Sequence, residues 1–397
     1  MPAHPQIFEL TEYQPTYFSP EQLPASVFTY LYHNFDQNGG KVEVQFPSPR
    51  TNGRYRLTPQ GWVGWIPISP TLHLSLLPKV NLSNLFRMWQ TAYRLPDIFW
   101  QDSWVQVKSL REFYERLAAI FAKMVLHRSR LGFRQAYLPQ TTPLPYIRGR
   151  ITKLPQPPQT AVTCHHHRHT PDLPHNQILA YTLDQILRAR HCQENTQTIL
   201  RRAYHTLHGL VTYTEFDSSA CHSSVYTRLN QDYRSLHALC RFFLENTGPS
   251  HKSGDHTIQP FLINMALLFE QFVAEWITQH LPNAWQLKTQ EIVHFGTERQ
   301  LQFKIDMVLY DKNGRCHTIL DTKYKTPTKP SPADINQIIA YAKSKACHNA
   351  ILIYPQPLPQ PLDIWLDDLH LRSLSFPLHS DLDTAGKQLL QKTLLTN

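Results

Sequence analysis

Apolar and polar residues alternate with a period of two in several short stretches near the start of the chain, a pattern typical of half-buried β-strands. The clearest stretches are KVEVQF, GWVGWIPI and LHLSLLP, which are separated by turn-forming residues. The next segment, NLSNLFRMWQTAYRL, has helical spacing, with Asn81 or Ser83 as its predicted N-cap. The amino-terminal part of the chain is therefore predicted to be rich in β-structure.

A long amphipathic helix is predicted over 107–131. Its polar face carries five basic residues, Arg111, Arg116, Lys123, Arg128 and Arg130. Such a face is either a solvated surface or a surface that follows phosphates, and the pattern leaves both readings open. The next segment, 139–158, holds six prolines, so we expect no regular element there and take it as the first domain boundary.

Helical spacing then returns in three segments, NQILAYTLDQILRA, ENTQTILRRAYHTLHGL and RLNQDYRSLHALCRFFLEN. A second break at 247–257, TGPSHKSGDHT, precedes a long predicted helix, IQPFLINMALLFEQFVAEWITQHL. The remaining pattern predicts strands at 286–295, 301–310 and 316–322, a helix at 333–346, a strand AILIYP and a final helix after Asp381.

This order of elements predicts an α+β multidomain chain. The predicted parts are a β-rich domain at 1–150, a helical middle region at 151–255 and an α/β domain with a central mixed sheet at 256–397.

Composition adds an argument from charge. The chain has 397 residues, and its 39 Lys and Arg outnumber its 30 Asp and Glu, which gives a formal net charge of +9. Excess positive charge favours a polyanionic partner such as nucleic acid. No apolar run approaches the roughly 18 residues of a membrane span, and no secretory leader is visible. The six cysteines form no CxxC pair and are expected to be reduced thiols, so a cytoplasmic protein without a membrane partner is predicted.

Two further motifs are poor candidates for a site. CHHHRH, at 164–169, has residue types that bind zinc, but its side chains follow one another without the spacing that converges on one ion, so we expect an exposed loop. The glycines form neither a GxxxxGK[ST] nor a GxGxxG motif. The chain is therefore predicted to have no nucleotide-phosphate loop of its own.

The strongest chemical signal lies in LQFKIDMVLYDKNGRCHTILDTKYK, where two strand-like runs flank an Asn-Gly pair. Asn-Gly favours a two-residue type I′ hairpin, because both central positions of that turn need a positive φ. If Asn313 and Gly314 form this turn, Asp306 lies directly opposite Asp321 on one face of the sheet. A three-residue loop would stagger this pair.

Like charges placed opposite each other destabilise a sheet, so we expect a compensating group. Lys323 shares the face of Asp321, because side chains alternate along a strand. A hard divalent cation, Mg²⁺ or Mn²⁺, is the usual partner of paired carboxylates. Lys325 lies on the same side by parity, with no assigned role.

Two helices offer further polar groups. Glu270 interrupts the apolar stretch NMALLFEQF, where it is either the polar edge of a helix or part of the site. Gln337 and Tyr341 lie four residues apart in DINQIIAYAKSK and so share one helical face.

These motifs resemble the PD-(D/E)XK nuclease superfamily, in which an acidic residue and a hairpin precede Asp-x-Lys. KID supplies the first acid, with Ile305 where the superfamily name has proline, and DTK supplies the second motif. Gln337 and Tyr341 resemble the QxxxY element of RecB-like members. In order, NMALLFEQFV, KIDMVLY, ILDTKYK and NQIIAYA look like the McrC family, the nuclease subunits of McrBC restriction systems. Weaker likenesses, from GWVGWIPISP to DLPHNQILAYTL, extend the resemblance over nearly the whole chain.

The resemblance implies roles for these residues. Asp306 and Asp321 would bind Mg²⁺ or Mn²⁺, with Glu270 as an additional ligand, directly or through water. Lys323 would position the attacking water and stabilise charge on the phosphate. Gln337 and Tyr341 would be accessory residues, and the domain at 256–397 would be the nuclease.

The resemblance also implies a partner. McrB is an AAA+ GTPase that reads DNA carrying modified cytosine, so GTP would act only through that subunit. The amino-terminal domain would dock on the GTPase, with 40–77 as the candidate docking segment.

The implied function is a Mg²⁺-dependent endonuclease subunit of a type IV, methylcytosine-directed restriction complex used in phage defence. One alternative is a regulatory subunit that activates the GTPase without cutting DNA. Another is a RecB-like repair nuclease that works without a GTPase.

Overall fold

The chain divides into two compact units in the computed structural model. The terminal unit joins Met1–Lys108 to Gly248–Asn397, and the middle unit is Ser109–Thr247. The structure describes residues 6–37, 39–69, 71–95, 109–155, 160–221, 226–227, 230–248, 251–253, 256–295 and 301–394.

This division differs from the predicted three-part division at residues 150 and 255, because the two ends of the chain share one unit.

The amino-terminal part of the terminal unit contains two small sheets. Its strands are β1 Gln6–Thr11, β2 Thr16–Phe18, β3 Val42–Gln45, β4 Tyr55–Pro59, β5 Trp62–Ser69 and β6 Leu72–Leu77. Its helices are α1 Ala25–Leu31, a π-helical turn Tyr32–Asp36, a 3-10 turn Pro49–Thr51 and α2 Leu82–Ala92. One sheet has the order β2-β4-β3, and in the other β6 lies between β1 and β5. The alternation therefore predicted this β-rich region correctly.

The alternating residues explain the core of these sheets. Val42, Leu57 and Leu74 point inward and are fully buried in one apolar cluster with residues of α1. Asn81 is the N-cap of α2, since its side chain accepts a hydrogen bond from the Asn84 N–H at 2.8 Å.

The long helix predicted after the second break begins later than expected. Its first residue, Ile258, ends strand β11 His256–Ile258, which pairs with β10 His251–Ser253 inside the predicted break. Strand β12 Phe261–Asn264 then occupies residues that were predicted to be helical. Helix α7, Met265–His280, starts only after Asn264, whose side chain accepts hydrogen bonds from the N–H groups of Ala266 and Leu267. The apolar run FLIN fits a buried strand as well as a helix, so periodicity alone does not separate the two.

Strand β12 explains why both ends of the chain belong to one unit. It pairs antiparallel with β5, which places Leu262 opposite Gly64 and extends the amino-terminal sheet to the order β1-β6-β5-β12. Because α7 follows β12 directly, the position of Glu270 on α7 depends on this sheet.

The carboxy-terminal part is built on the predicted central mixed sheet. Its strands are β13 Gln286–Phe295, β14 Leu301–Tyr310, β15 Cys316–Thr322, β16 Asn349–Tyr354, β17 Asp363–Leu366 and β18 Leu369–Ser375, in the order β13-β14-β15-β16-β18-β17. The pairs β15–β16 and β16–β18 are parallel and the others are antiparallel. Helices α8 Pro332–Ser344 and α9 Leu382–Leu394 complete this part. The hairpin β17–β18 was not predicted.

The three helices predicted from the spacing in this part of the chain are present in the middle unit, which also contains a sheet. Its helices are α3 Leu110–Leu131, α4 Pro174–Ala189, α5 Glu194–Leu207 and α6 Tyr233–Asn246, with a 3-10 turn at Ser218–Cys221. The basic face of α3 is partly paired, since Arg116 contacts Glu112 and Arg128 contacts Asp232. No helix in the described part of the chain is both long and apolar enough to cross a membrane.

The sheet of the middle unit corrects two predictions. Its strands are β7 Ala136–Leu144, β8 Arg150–Lys153 and β9 Val162–Thr170, with β9 between the other two. The proline-rich segment therefore contains strands, because its prolines at 139 and 143 lie in a strand with only one neighbour. CHHHRH lies in the central strand, where Cys164 and His166 are buried, so it is not an exposed loop.

The close approach of β12 to β5 yields a test of this architecture. Gly64 has a φ of 144°, and a Cβ added there would lie 2.0 Å from the Phe261 carbonyl oxygen. Gly64→Ala should therefore destabilise the protein by at least about 1–3 kcal/mol, because this crowding adds to the strain of a φ that residues with a side chain rarely adopt.

The matched control is Gly53→Ala, because Gly53 also has a positive φ, 70°, but faces open space. Thermal unfolding of both variants compares a crowded positive-φ position with one that faces open space. Equal losses of stability in the two variants would contradict the proposed role of the β5–β12 contact.

Candidate functional site

The hairpin between β14 and β15 sets the register of the site. Its ladder pairs Met307 with Leu320, Val308 with Ile319 and Leu309 with Thr318. Continued by one residue, this register places Asp306 opposite Asp321, as predicted.

The turn that produces this register differs from the predicted one. Only Gly314 among the loop residues has a positive φ, 73°, and its N–H donates to the Asp311 carbonyl oxygen, while Asp311 N–H donates to the Arg315 carbonyl oxygen. The loop therefore has three residues, 312–314, rather than the two of a type I′ turn. The Asp311 carboxylate also accepts hydrogen bonds from the N–H groups of Asn313 and Arg315, which favours the longer loop.

A β-bulge restores the predicted pairing. Tyr310 pairs with Cys316 and Leu309 with Thr318, so His317 is an extra residue in β15. This extra residue cancels the one-residue shift that the longer loop introduces.

Asp306 and Asp321 form a pair of carboxyl groups, of which Asp321 is buried and Asp306 is half-buried. Asp321 is only 1% exposed, and burial together with the Asp306 charge raises its pKa to about 7. Burial, and next the Glu270 charge, raise the pKa of Asp306 to about 6. The positive charges of the protein therefore do not fully neutralise the two carboxylates.

Lys323 is the cation that pairs with Asp321 and lowers the pKa of both carboxyl groups. Its Nζ lies 2.8 Å from Asp321 Oδ2, and it donates to Gln337 Oε1 at 2.9 Å. Burial opposes the charged form of Lys323, but Asp321 and Asp306 outweigh this effect and raise its pKa. Gln337 Nε2 in turn donates to the Tyr341 hydroxyl at 2.8 Å, so α8 holds the lysine through the predicted i,i+4 pair.

The two residues after Lys323 anchor the end of the strand. Lys325 Nζ lies 2.6 Å from Asp334 in the first turn of α8, which gives this lysine a structural role. The Tyr324 hydroxyl donates to Glu12, which is fully buried, at 3.1 Å. Burial raises the pKa of Glu12 to about 7, although hydrogen bonds from Lys79 N–H and Tyr324 lower it.

Glu270 lies near the pair, on α7. Burial raises its pKa, and Gln290 opposes this by donating its side-chain amide to Glu270 Oε1. Gln290 was missed by the sequence analysis, because a glutamine in a strand carries no recognisable signal.

The donor set fits a hard divalent cation bound by the aspartate pair. Neither Asp321 carboxylate oxygen, both of them buried, accepts a hydrogen bond of good geometry, although Lys323 lies close to one of them. Carboxylate oxygens are the ligands that Mg²⁺ and Mn²⁺ prefer. Across the described residues, however, no group of three His, Cys, Asp or Glu side chains is close enough to hold one ion, so the site consists of two side chains with Glu270 outside direct contact.

Comparisons with known proteins bear on the family and the fold of the chain. The model of a family described as McrBC 5-methylcytosine restriction system component matches residues 57–355. One solved chain is similar over 98% of this chain and 99% of its own, with 17% identity and a TM-score of 0.57. It comes from the refined half-complex of a tetradecameric assembly of Thermococcus gammatolerans McrB AAA+ hexamers with bound McrC. A second, from the cryo-EM structure of the Thermococcus gammatolerans McrBC complex, covers 70% of this chain and 89% of its own at 17% identity, with a TM-score of 0.46. No curated protein sequence matches the chain.

The raised pKa values predict how the metal-free protein responds to pH. Because the pKa values of Asp306 and Asp321 are raised in the folded state, folding is favoured when these carboxyl groups are protonated. Their contribution to the free energy of unfolding is complete below the ordinary aspartate pKa of about 4 and is lost as the pH rises through about 6 and 7. The free energy of unfolding of Asp321→Asn minus that of the wild type should therefore be about 1–3 kcal/mol higher at pH 8 than at pH 5. Unfolding measured at both pH values without metal tests this difference.

The matched control is Asp367→Asn at the exposed turn between β17 and β18, which should show no such dependence. Glu12 titrates over the same range in every variant, so its contribution cancels. Added Mg²⁺ should stabilise the wild type at pH 8 and have little effect on Asp321→Asn. If Asp321→Asn and Asp367→Asn show the same pH dependence of stability, ionisation of the Asp306–Asp321 pair does not destabilise the fold.

Proposed function

The chain belongs to the McrBC 5-methylcytosine restriction system component family, as its motifs predicted, and from this premise we propose that it is the McrC-type, Mg²⁺-dependent endonuclease subunit of such a system. It would cleave phosphodiesters of DNA that carries methylated cytosine. The part of the chain after the second break would be its PD-(D/E)XK nuclease domain.

One observation carries this proposal. Asp306 and Asp321 lie side by side on neighbouring strands, and the Lys323 ammonium is held 2.8 Å from Asp321. Asp321 is buried, and Asp306 and Lys323 are half-buried. Grouping these three charges largely out of water is costly for folding, which favours a catalytic reason for keeping them.

The side chains divide the work of hydrolysis among them. Mg²⁺ bound by Asp306 and Asp321 would supply Lewis-acid stabilisation of the phosphate. Lys323 would position the attacking water and donate to the phosphate oxygen on which charge develops. Gln337 keeps the ammonium in place, and Tyr341 keeps Gln337 in place.

An AAA+ GTPase is the partner that we propose. The similar solved chain comes from an assembly of McrB AAA+ hexamers with bound McrC. GTP hydrolysis and recognition of the modified base would belong to the corresponding partner of this chain, in the cytoplasm. Most of the exposed residues of the candidate docking segment 40–77 lie in its loop at 46–54, which includes Phe46 and Arg50, so docking there would use this loop.

Cleavage assays test the catalytic assignment. The chain together with its GTPase partner should cut DNA with modified cytosine when GTP and Mg²⁺ are present. Asp321→Ala and Lys323→Ala should each lower the cleavage rate by about 10²–10³-fold or more, because each removes stabilisation of charge in the transition state. The exposed Lys329 supplies the control, since Lys329→Ala removes an equal charge outside the site.

Stimulation of GTP hydrolysis should survive in both catalytic variants. Retained cleavage in either variant would rule out the assigned residues. A wild-type complex that stimulates GTP hydrolysis but cuts no modified DNA would instead support the regulatory alternative. Cleavage of DNA ends without any GTPase would support a repair nuclease.

A further inference from the structure

Gln290 adopts an unusual backbone conformation in the middle of β13. Its φ is 53°, in the left-handed region, although the ten-residue strand continues on both sides. The ladder pairs Thr289 with Met307 and Glu291 with Ile305, so Gln290 lies opposite Asp306. A strained residue therefore borders the proposed catalytic pair.

The left-handed conformation is unfavourable for a residue with a side chain, and strands normally require a strongly negative φ. Glycine would adopt it without strain, and asparagine tolerates it better than glutamine does. The backbone conformation at position 290 thus favours glycine or asparagine over glutamine. A contact of the glutamine side chain would explain why glutamine is present.

The Gln290 side chain makes such a contact. Its Nε2 donates to Oε1 of Glu270 on α7 and so links the edge strand of the central sheet to the helix beside the site. Glu270 is half-buried and feels the charges of Asp321, Lys304 and Lys323, which makes it the third carboxylate of the neighbourhood. A neutral amide fixes the orientation of a carboxylate without neutralising its charge.

We propose that Gln290 is a positioning residue of the nuclease site, whose strained backbone directs its amide to hold the Glu270 carboxylate beside Asp306 and Asp321. This inference rests on the proposed function. Glu270 would act on a bound cation indirectly, because it does not form a three-ligand group with the two aspartates among the described residues. Residues that orient groups around a metal typically change metal affinity by about 10–100-fold when they are replaced.

A rival explanation assigns the kink to the fold alone. β13 is an edge strand of the sheet, and a backbone irregularity there discourages pairing with another chain. This explanation needs the left-handed backbone of Gln290 but not its side-chain amide. The two explanations therefore predict different effects of Gln290→Gly on metal affinity.

Gln290→Gly separates them, because it relieves the backbone strain and removes the amide together. We expect a protein at least as stable as the wild type, with Mn²⁺ affinity about 10-fold weaker. Mn²⁺ binding is measured by the loss of the free-ion electron paramagnetic resonance signal, and stability by thermal unfolding. Cleavage with the GTPase partner should need correspondingly more Mg²⁺ for half-maximal rate, with the maximal rate approached at high Mg²⁺.

The control is Asp367→Gly, which relieves a φ of 54° in the turn between β17 and β18, outside the site. It should leave Mn²⁺ affinity unchanged. Gln290→Asn keeps the amide on a side chain one methylene shorter, so it should resemble Gln290→Gly in affinity.

Unchanged Mn²⁺ affinity in Gln290→Gly would overturn the proposal, and so would a loss of stability large enough to explain the weaker binding. If the wild type binds Mn²⁺ but cuts no DNA, the proposed function fails. The comparison of Mn²⁺ affinities still tests the role of Gln290 in that case.

Discussion

The side-by-side placement of the half-buried Asp306 and the buried Asp321 is the constraint on which the site depends. Like charges opposite each other destabilise a sheet, and removal from water increases the cost of both charges. Lys323 offsets only part of this cost, since the pKa of each carboxyl group remains raised. A hard divalent cation supplies the remaining compensation in our account, which is why folding cost and catalytic function are linked at this pair.

The surrounding contacts hold this costly pair in place. The chain after Lys323 is fixed at two points, by the Lys325–Asp334 ion pair and by the hydrogen bond from Tyr324 to the buried Glu12. The second contact joins the amino-terminal part of the terminal unit to the chain after β15, as β12 joins the amino-terminal sheet to α7. The site is therefore supported by both ends of the chain, although its central residues come from a short hairpin.

The sequence predicted the local parts of this site well and its long-range parts poorly. The strands 286–295, 301–310 and 316–322 follow from alternation and turn residues, and the shared face of Gln337 and Tyr341 follows from helical spacing. The Asp306–Asp321 register was predicted correctly from a wrong turn, because the longer loop and the bulge at His317 cancel. Pairing of β12 with β5 spans about two hundred residues and leaves no local pattern, and the left-handed φ of Gln290 has no counterpart in composition or periodicity.

The most direct test of the central claim is anomalous X-ray diffraction from crystals of the protein soaked in Mn²⁺. Our account predicts an anomalous peak between Asp306 and Asp321, within about 2.0–2.3 Å of a carboxylate oxygen from each, with Glu270 bound to it through water. A peak elsewhere, or an Asp306–Asp321 pair that stays free of Mn²⁺ at saturating concentration, would contradict it.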